Sequence, residues 1–512
     1  MKNLLLLFIA FLFGQAAFAQ IRGRVVDVKS GEPIPYANIL INNSDNQISN
    51  GEGYFTIPAS SSSEETVLQI TCMGYGGIQI TVGQLQSRDS VIKLDEVSYE
   101  LNNVNLAERP TAESIMAQVK ANLKANYSLH PTLAKDQLFL REINQFNPSK
   151  FEVEITKSTG FTKGNLKEAN SEIKGYMQSL VTHPPKGFTD VLGNYYTSPK
   201  TDPDAKDPKK VSYYSKLDVV QATKMQDENR SSSLDDMQEK ATKLMLKHLD
   251  TTKYYRIKSG WFGSKDTVSL RKDYNKKKSA KSKVSNVSNA KTRLSSIRTN
   301  SNFLYSQKLE FVTDPSIYRY TYEGTVLLSD GSYAYVLKFE PRKGRALYRG
   351  KIYVSDSDYA VLRADYDLYP GRKVEGLNVK LILGIKYSEN VSSGTVIFKK
   401  DPVAEGYYLQ YASQTSGQYF YVNRPLKFIE LTDEEKDVVA FDFKIEGNIL
   451  SKSEFLNMSR TAVSDDSFSG IKEEDFAYKK IKKYDASLWT KYGAIEPLEE
   501  MKRYQVMEES PN

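Results

Sequence analysis

Cysteine and histidine are nearly missing from this sequence: Cys72 stands alone, and His130, His183 and His248 are the only imidazoles among 512 residues. One thiol leaves no internal disulfide and no multi-thiol metal site. The histidines are followed by Pro131-Thr132-Leu133, Pro184-Pro185-Lys186 and Leu249-Asp250-Thr251, so none has a glutamate at the spacing of a zinc ligand pair. Also missing are a Gly-x-Ser-x-Gly elbow, a Walker loop, a His-Glu-x-x-His helix and a dinucleotide glycine fingerprint. Gly51-Glu52-Gly53 and Gly74-Tyr75-Gly76-Gly77 sit in β-turn contexts without a following helix, which excludes a phosphate cradle of the usual kind. No catalytic residue, cofactor or metal is therefore assigned. After the first residues no apolar run approaches the length of a membrane-spanning helix.

What the sequence does contain begins with an address. Lys2, the apolar run Leu4–Phe13 and Ala17-Phe18-Ala19 read as a secretory signal peptide over residues 1–19, cleaved after Ala19. No cysteine follows the cleavage site, so no lipid anchor is expected. The mature chain is expected to cross the inner membrane and reside in the periplasm or on the periplasmic face of the outer membrane. Cys72, at the end of the apolar stretch Val67–Met73, reads as a small buried residue. The net charge of +7 is local: residues 271–298 hold ten Lys or Arg against Asp273 alone. That segment reads as a disordered, solvated insertion. Its functional alternative is contact of Lys276, Lys277, Lys278, Lys281 and Lys283 with membrane phosphates. Tyr274 is its single aromatic residue, and nucleic acid is not an expected partner in this compartment.

The longest patterned stretch runs from Phe303 to Ile445. In Ile317–Leu328, Tyr318, Tyr320, Tyr322, Val326 and Leu328 alternate with Arg319, Thr321, Glu323 and Thr325, the period of a half-buried strand. Ser329-Asp330-Gly331-Ser332 signals a hairpin, and Tyr333, Tyr335, Leu337 and Phe339 resume the alternation. Further strands are predicted over Lys351–Val354, Ala360–Leu368, Leu377–Tyr387, Thr395–Phe398, Gly406–Tyr411, Gln418–Val422 and Val438–Ile445. Helices are predicted from Thr111 to Tyr127, with Ile115, Val119, Leu123 and Tyr127 on one stripe, and from Ser233 to His248. Residues 161–229 read as surface loops around a few short elements, and Lys253–Leu270 as a strand, a glycine turn carrying Trp261, and a second strand. Arg141 and Glu142 read as a structural ion pair or strand-end charges. Phe476, Ile481, Trp489, Tyr492 and Ile495 read as anchors of the tail.

The front of the chain carries a family likeness. The runs IRGRVVDVKSGEPIPYANILI, SNGEGYFTIP, VLQITCMGYGG and VIKL resemble the carboxypeptidase-regulatory-like domain. The resemblance implies a transthyretin-like β-sandwich of the kind found at the front of secreted and outer-membrane proteins, among them TonB-dependent receptors. The family's Thr-Asp-x-x-Gly-x-Phe motif is present as Ser49-Asn50-Gly51-Glu52-Gly53-Tyr54-Phe55, with Asn50 in place of the aspartate as a turn former. Peptidase activity does not follow from the name, because the zinc ligands are missing.

The expected protein is mainly β (α+β): signal peptide 1–19, β-sandwich 20–95, linker 96–110, a helix-covered antiparallel sheet over 111–450 interrupted at 271–298, and a packed tail 451–512. Its architecture is similar to the half-barrel of periplasmic lipoprotein carriers, which implies a lipid-sized hollow on the sheet's apolar face. The function read from this is a non-enzymatic binding or scaffold protein for an apolar ligand or an outer-membrane protein or lipid, with Tyr318, Tyr320, Tyr322 and Trp261 as candidate ligand contacts. Two other classes stay open: a glycan-binding accessory protein of an outer-membrane uptake system, and a hydrolase whose carboxylates meet only in the fold.

Overall fold

Two packed bodies of sheet emerge when the alternating segments are placed in three dimensions. The computed structural model describes residues 21–43, 45–97, 110–129, 132–159, 162–201, 211–226, 254–259, 262–269, 285–328, 330–431, 438–489 and 495–505. The front module pairs a three-stranded sheet, β4 (Tyr54–Ile57), β1 (Ile21–Asp27) and β7 (Val91–Leu94), with a four-stranded sheet, β3 (Asp45–Ile48), β2 (Asn38–Ile41), β5 (Val67–Thr71) and β6 (Ile78–Thr81). Alternate residues of both sheets, such as Val25, Ile39, Ile41, Phe55, Leu68 and Ile70, meet between them and are buried. The short helix α1 (Val82–Gln86) closes the module's edge with a reciprocal Thr81–Gln84 capping box.

The second body is one sheet of fourteen strands among the described residues. Its main path runs β13 (Tyr318–Leu327), β14 (Tyr333–Pro341), β15 (Tyr348–Ser355), β16 (Val361–Leu368), β18 (Ile385–Lys400), β19 (Tyr407–Glu430), β20 (Val438–Ala462), β8 (Ala134–Ser158), β9 (Lys186–Thr201), β10 (Val211–Met225) and β21 (Lys479–Lys480). Strand β17 (Glu375–Val379) hangs on β18, and the hairpin β11 (Tyr254–Ser259) and β12 (Phe262–Ser269) hangs on β19. The mainly β class with a front sandwich and a large curved sheet is thus as expected.

One face of this sheet is covered by α2 (Ala112–Tyr127), α4 (Asn286–Asn300) and the short α5 (Glu310–Thr313); α3 (Lys163–Thr182) packs along β8 and forms a separate core. In α2, Thr111 accepts a bond from the amide of Ser114 at 3.1 Å, and Ile115, Met116, Val119, Leu123 and Tyr127 are buried in one stripe. The hollow implied by the carrier likeness is not formed on this face. Phe303, Phe311, Phe339 and Tyr348 fill it, with Phe311 and Phe339 stacked at 4.3 Å.

Several expectations are corrected. Residues 285–298 of the supposed basic insertion belong to the capped helix α4, where Val287, Ala290, Leu294 and Ile297 recur at helical spacing and are buried. Its cations lie outside that stripe: Lys291 pairs with Glu473 at 2.9 Å, and Arg293 pairs with Glu142. The segment's high charge hid a helix period. Residues 161–229 contain a twenty-residue helix and two long strands, not chiefly loops. Strand β20 carries the sheet past residue 450, so the tail begins later than the expected boundary. The predicted strand Leu377–Tyr387 breaks at a helical turn, α6 (Lys380–Leu383), ended by Gly384 in the left-handed conformation at φ 66°. The predicted helix 233–248, Trp261, Tyr492, and Lys276, Lys277, Lys278, Lys281 and Lys283 lie outside the described residues.

Candidate functional site

The alternation in β13 does not continue unbroken. Its pairing with β14 shifts register between Tyr322 and Gly324, where Gly324 has φ 113°. A bulge of this kind transfers the following residues to the opposite face. Tyr318 and Tyr320 therefore belong to the helix-covered core, with Tyr322 against it, while Val326 and Leu328 belong to a cluster on the other face. The Tyr318 hydroxyl donates to Glu310 at 2.8 Å and accepts from the amides of Leu347 and Tyr348; the Tyr320 hydroxyl donates to the Phe311 carbonyl. Both rings are buried, so neither offers an open stacking surface.

The opposite face receives the front module. Tyr36 packs against Tyr411 in a tilted arrangement with 4.2 Å between ring centres, and its hydroxyl donates to Glu454 at 3.3 Å. Glu454 is fully buried beside Lys452, 2.9 Å away. Burial alone would raise this carboxyl, but Lys452 and Arg141 outweigh it and hold it below its ordinary range. Arg141 itself is fully buried and bidentate to Asp190 at 2.9 and 2.8 Å, and donates to the carbonyls of Ile495 and Glu496. The partner of Arg141 is thus Asp190, while Glu142 pairs with Arg293. Trp489 Nε1 donates to the same Asp190 at 2.9 Å.

The C-terminal segment held this way is the mortar between the two bodies. Ile48 bridges Ile495, Arg22 pairs with Glu499 at 2.5 Å, and Thr56 donates to the Glu496 carboxylate. Asn50 explains its departure from the family motif. Its Oδ1 accepts from the amides of Glu52 and Tyr54 to form the turn, and its Nδ2 donates to the carbonyls of Glu496 and Pro497. An aspartate would form the turn, but its carboxylate only accepts and would have no donor for those two carbonyls.

Beside this seam the module and sheet stand apart and enclose a cleft of about 600 Å³. One wall is the module's Gln69, Thr71, Cys72, Met73, Tyr75 and Ile78; the other is Val326, Leu328, Leu362, Arg363, Ile397 and Lys399 of the large sheet. Such a volume, lined by apolar and polar side chains in similar measure, suits a small organic ligand that carries both kinds of group. Arg363 is fixed at the floor: it is bidentate to Asp365 at 2.7 and 3.1 Å, and its Nη1 reaches the Cys72 sulfur at 3.3 Å. Burial pushes the Cys72 thiol up, and the nearby guanidinium offsets only part of that effect, so the sulfur is a protonated wall group. On the far side Tyr407 donates to Asp358 at 2.7 Å.

Lys399 is different. Its amine opens on the cleft, reached by solvent but crowded by the walls, and desolvation alone lowers its pKa. No carboxylate or other polar side chain pairs with it among the described residues. The sequence reading missed Lys399 and Arg363. The only available signal was Arg363-Ala364-Asp365, opposite charges two apart on one face of an apolar strand; nothing marked Lys399.

The described residues contain no group of three or more His, Cys, Asp or Glu side chains placed to hold a metal. They also contain no helix long and apolar enough to cross a membrane. No curated protein matches the chain significantly. A solved structure of a DUF1329 family protein from Desulfovibrio piger is 11% identical, with a TM-score of 0.16, covering 65% of this chain and 92% of that one. The front likeness is borne out: residues 21–106 match the family model of the CarboxypepD_reg-like domain, to which this part of the chain is similar.

Proposed function

We propose that this chain is a non-catalytic binding protein of the cell envelope, whose cleft between front module and large sheet takes an amphipathic anion. The observation that carries the reading is the Lys399 amine, without a carboxylate partner among the described residues, at the edge of a cleft of about 600 Å³ whose walls are part apolar and part polar. The Lys399 side chain is exposed and meets no counter-ion among the described residues, so an acidic ligand group would gain a charge-assisted contact there. Met73, Ile78, Leu328 and Leu362 then receive the ligand's apolar body. Arg363 is already neutralised by Asp365 and shapes the floor instead of binding the charge. The envelope setting rests on the signal-peptide pattern at residues 1–19. The CarboxypepD_reg-like module supplies one wall of the site, which gives that domain a binding role without any peptidase chemistry.

The test is titration with cis-parinaric acid, a fluorescent fatty acid, alongside mass spectrometry of organic extracts from the purified protein. Saturable binding, weakened about tenfold or more in Lys399→Met, is the expected result, the loss of one charge-assisted contact. Absence of saturable binding, or equal affinity in Lys399→Met, overturns the reading.

A further inference from the structure

The β17–β18 connection presents an apolar tip that the cleft does not explain. Leu381 and Ile382 of α6 are 102% and 84% exposed, and Leu377 on the adjoining strand is 54% exposed. Large apolar side chains are rarely left so bare on adjacent positions. The tip is nevertheless firmly built. Gly384 closes the turn in the left-handed conformation, and a side chain there would collide with the Asn423 carbonyl. The Asn423 amide in turn donates to the Gly384 carbonyl at 2.8 Å, tying the tip to β19. The exposed pair is therefore displayed by a docked turn.

The charges around it are mainly positive. Within residues 371–386, Arg372, Lys373, Lys380 and Lys386 stand against a single carboxylate, Glu375, which accepts from the Tyr387 hydroxyl. Lys380 lies over the Tyr421 ring at 4.1 Å and Lys386 over the Tyr419 ring at 5.1 Å. Apolar side chains projecting beyond a collar of lysines with aromatic supports match the layering of an anionic bilayer: hydrocarbon beneath, phosphate and interface above.

We infer that the Lys380–Gly384 tip inserts Leu381 and Ile382 into the surface of an anionic membrane, with Lys380 and Lys386 against the lipid phosphates. This anchor is independent of the cleft and is shallow and reversible, because two side chains and a few charges bind weakly compared with a spanning helix.

The test is co-sedimentation of the chain with vesicles of phosphatidylethanolamine containing phosphatidylglycerol, against vesicles of phosphatidylcholine. Binding to the anionic vesicles that declines with added salt is expected, together with a loss of about tenfold or more in Leu381→Ser/Ile382→Ser. Lys380→Glu/Lys386→Glu should also weaken it, and cis-parinaric acid titration should be unchanged in both variants. Both substitution pairs lie on the exposed turn, and circular dichroism checks that the fold is retained. The inference is overturned if the wild-type chain ignores the anionic vesicles, or if the Leu381→Ser/Ile382→Ser variant binds like wild type. It is equally overturned if light scattering shows a dimer that this variant abolishes without any vesicle binding, which would make the tip a self-association surface.

Discussion

Replacing Arg141 by methionine tests the seam that joins the two bodies. The side chain volume is roughly kept, but Asp190, 1% exposed, loses both guanidinium bonds, and the carbonyls of Ile495 and Glu496 lose their donor. Trp489 Nε1 remains as a partner of Asp190 and is too weak a donor to neutralise it. Removing one member of a buried ion pair costs about 3–5 kcal/mol, most of it from the stranded charge. Because the Ile495–Glu499 stretch also carries contacts of Arg22, Asn50 and Thr56, the loss should appear first as release of the C-terminal segment and then of the front module. Limited proteolysis should cut Arg141→Met near the C-terminus well before the wild type, with a lowered thermal midpoint. Arg141→Met/Asp190→Leu, which removes the stranded charge as well, should recover about half of the lost stability. If Arg141→Met loses less than about 1 kcal/mol, or the double variant is no better than the single, the seam is not held by this pair.

Three further outcomes follow from the charges of the seam and cleft. The Glu454 carboxyl is held below its unfolded value, so its stabilisation is present above that value and is lost as pH falls through the folded pKa. Acidification should loosen the front module, measured as faster proteolysis, and Glu454→Gln should flatten that dependence. Desolvation lowers the pKa of the Lys399 amine, and a bound anion should raise it; below the lowered value the amine is charged in both states, and above it binding must take up a proton. Affinity for cis-parinaric acid should therefore fall with rising pH through that range, an effect absent in Lys399→Met. The Cys72 thiol, buried and raised in pKa, should react with Ellman's reagent much more slowly in the folded chain than in urea. Rapid modification of the folded protein would place that sulfur in a more open setting than the cleft wall.

Much of the architecture was legible because strand alternation, turn residues and caps are local properties. Thr111 with the Ile115, Val119, Leu123 and Tyr127 stripe specified α2, and the alternating rows of Phe303–Ile445 specified most of the meander. The misreadings have local causes too: the basic residues of 271–298 masked the Val287, Ala290, Leu294 and Ile297 period, and Gly384 within an alternating run stops a strand that its neighbours would continue.

Taken by itself, the sequence determined that the chain is mainly β, that its front resembles the carboxypeptidase-regulatory-like domain, and that the ligands of a zinc peptidase are missing. The tertiary structure alone decided which face of the large sheet is filled and which meets the module. One bulge before Gly324 separates Tyr320 from Val326, and only folding brings Cys72 against Arg363, 291 residues away. The physical reason is that periodicity reports which residues share a face, whereas the partner of that face depends on register shifts and on packing between segments distant in the chain.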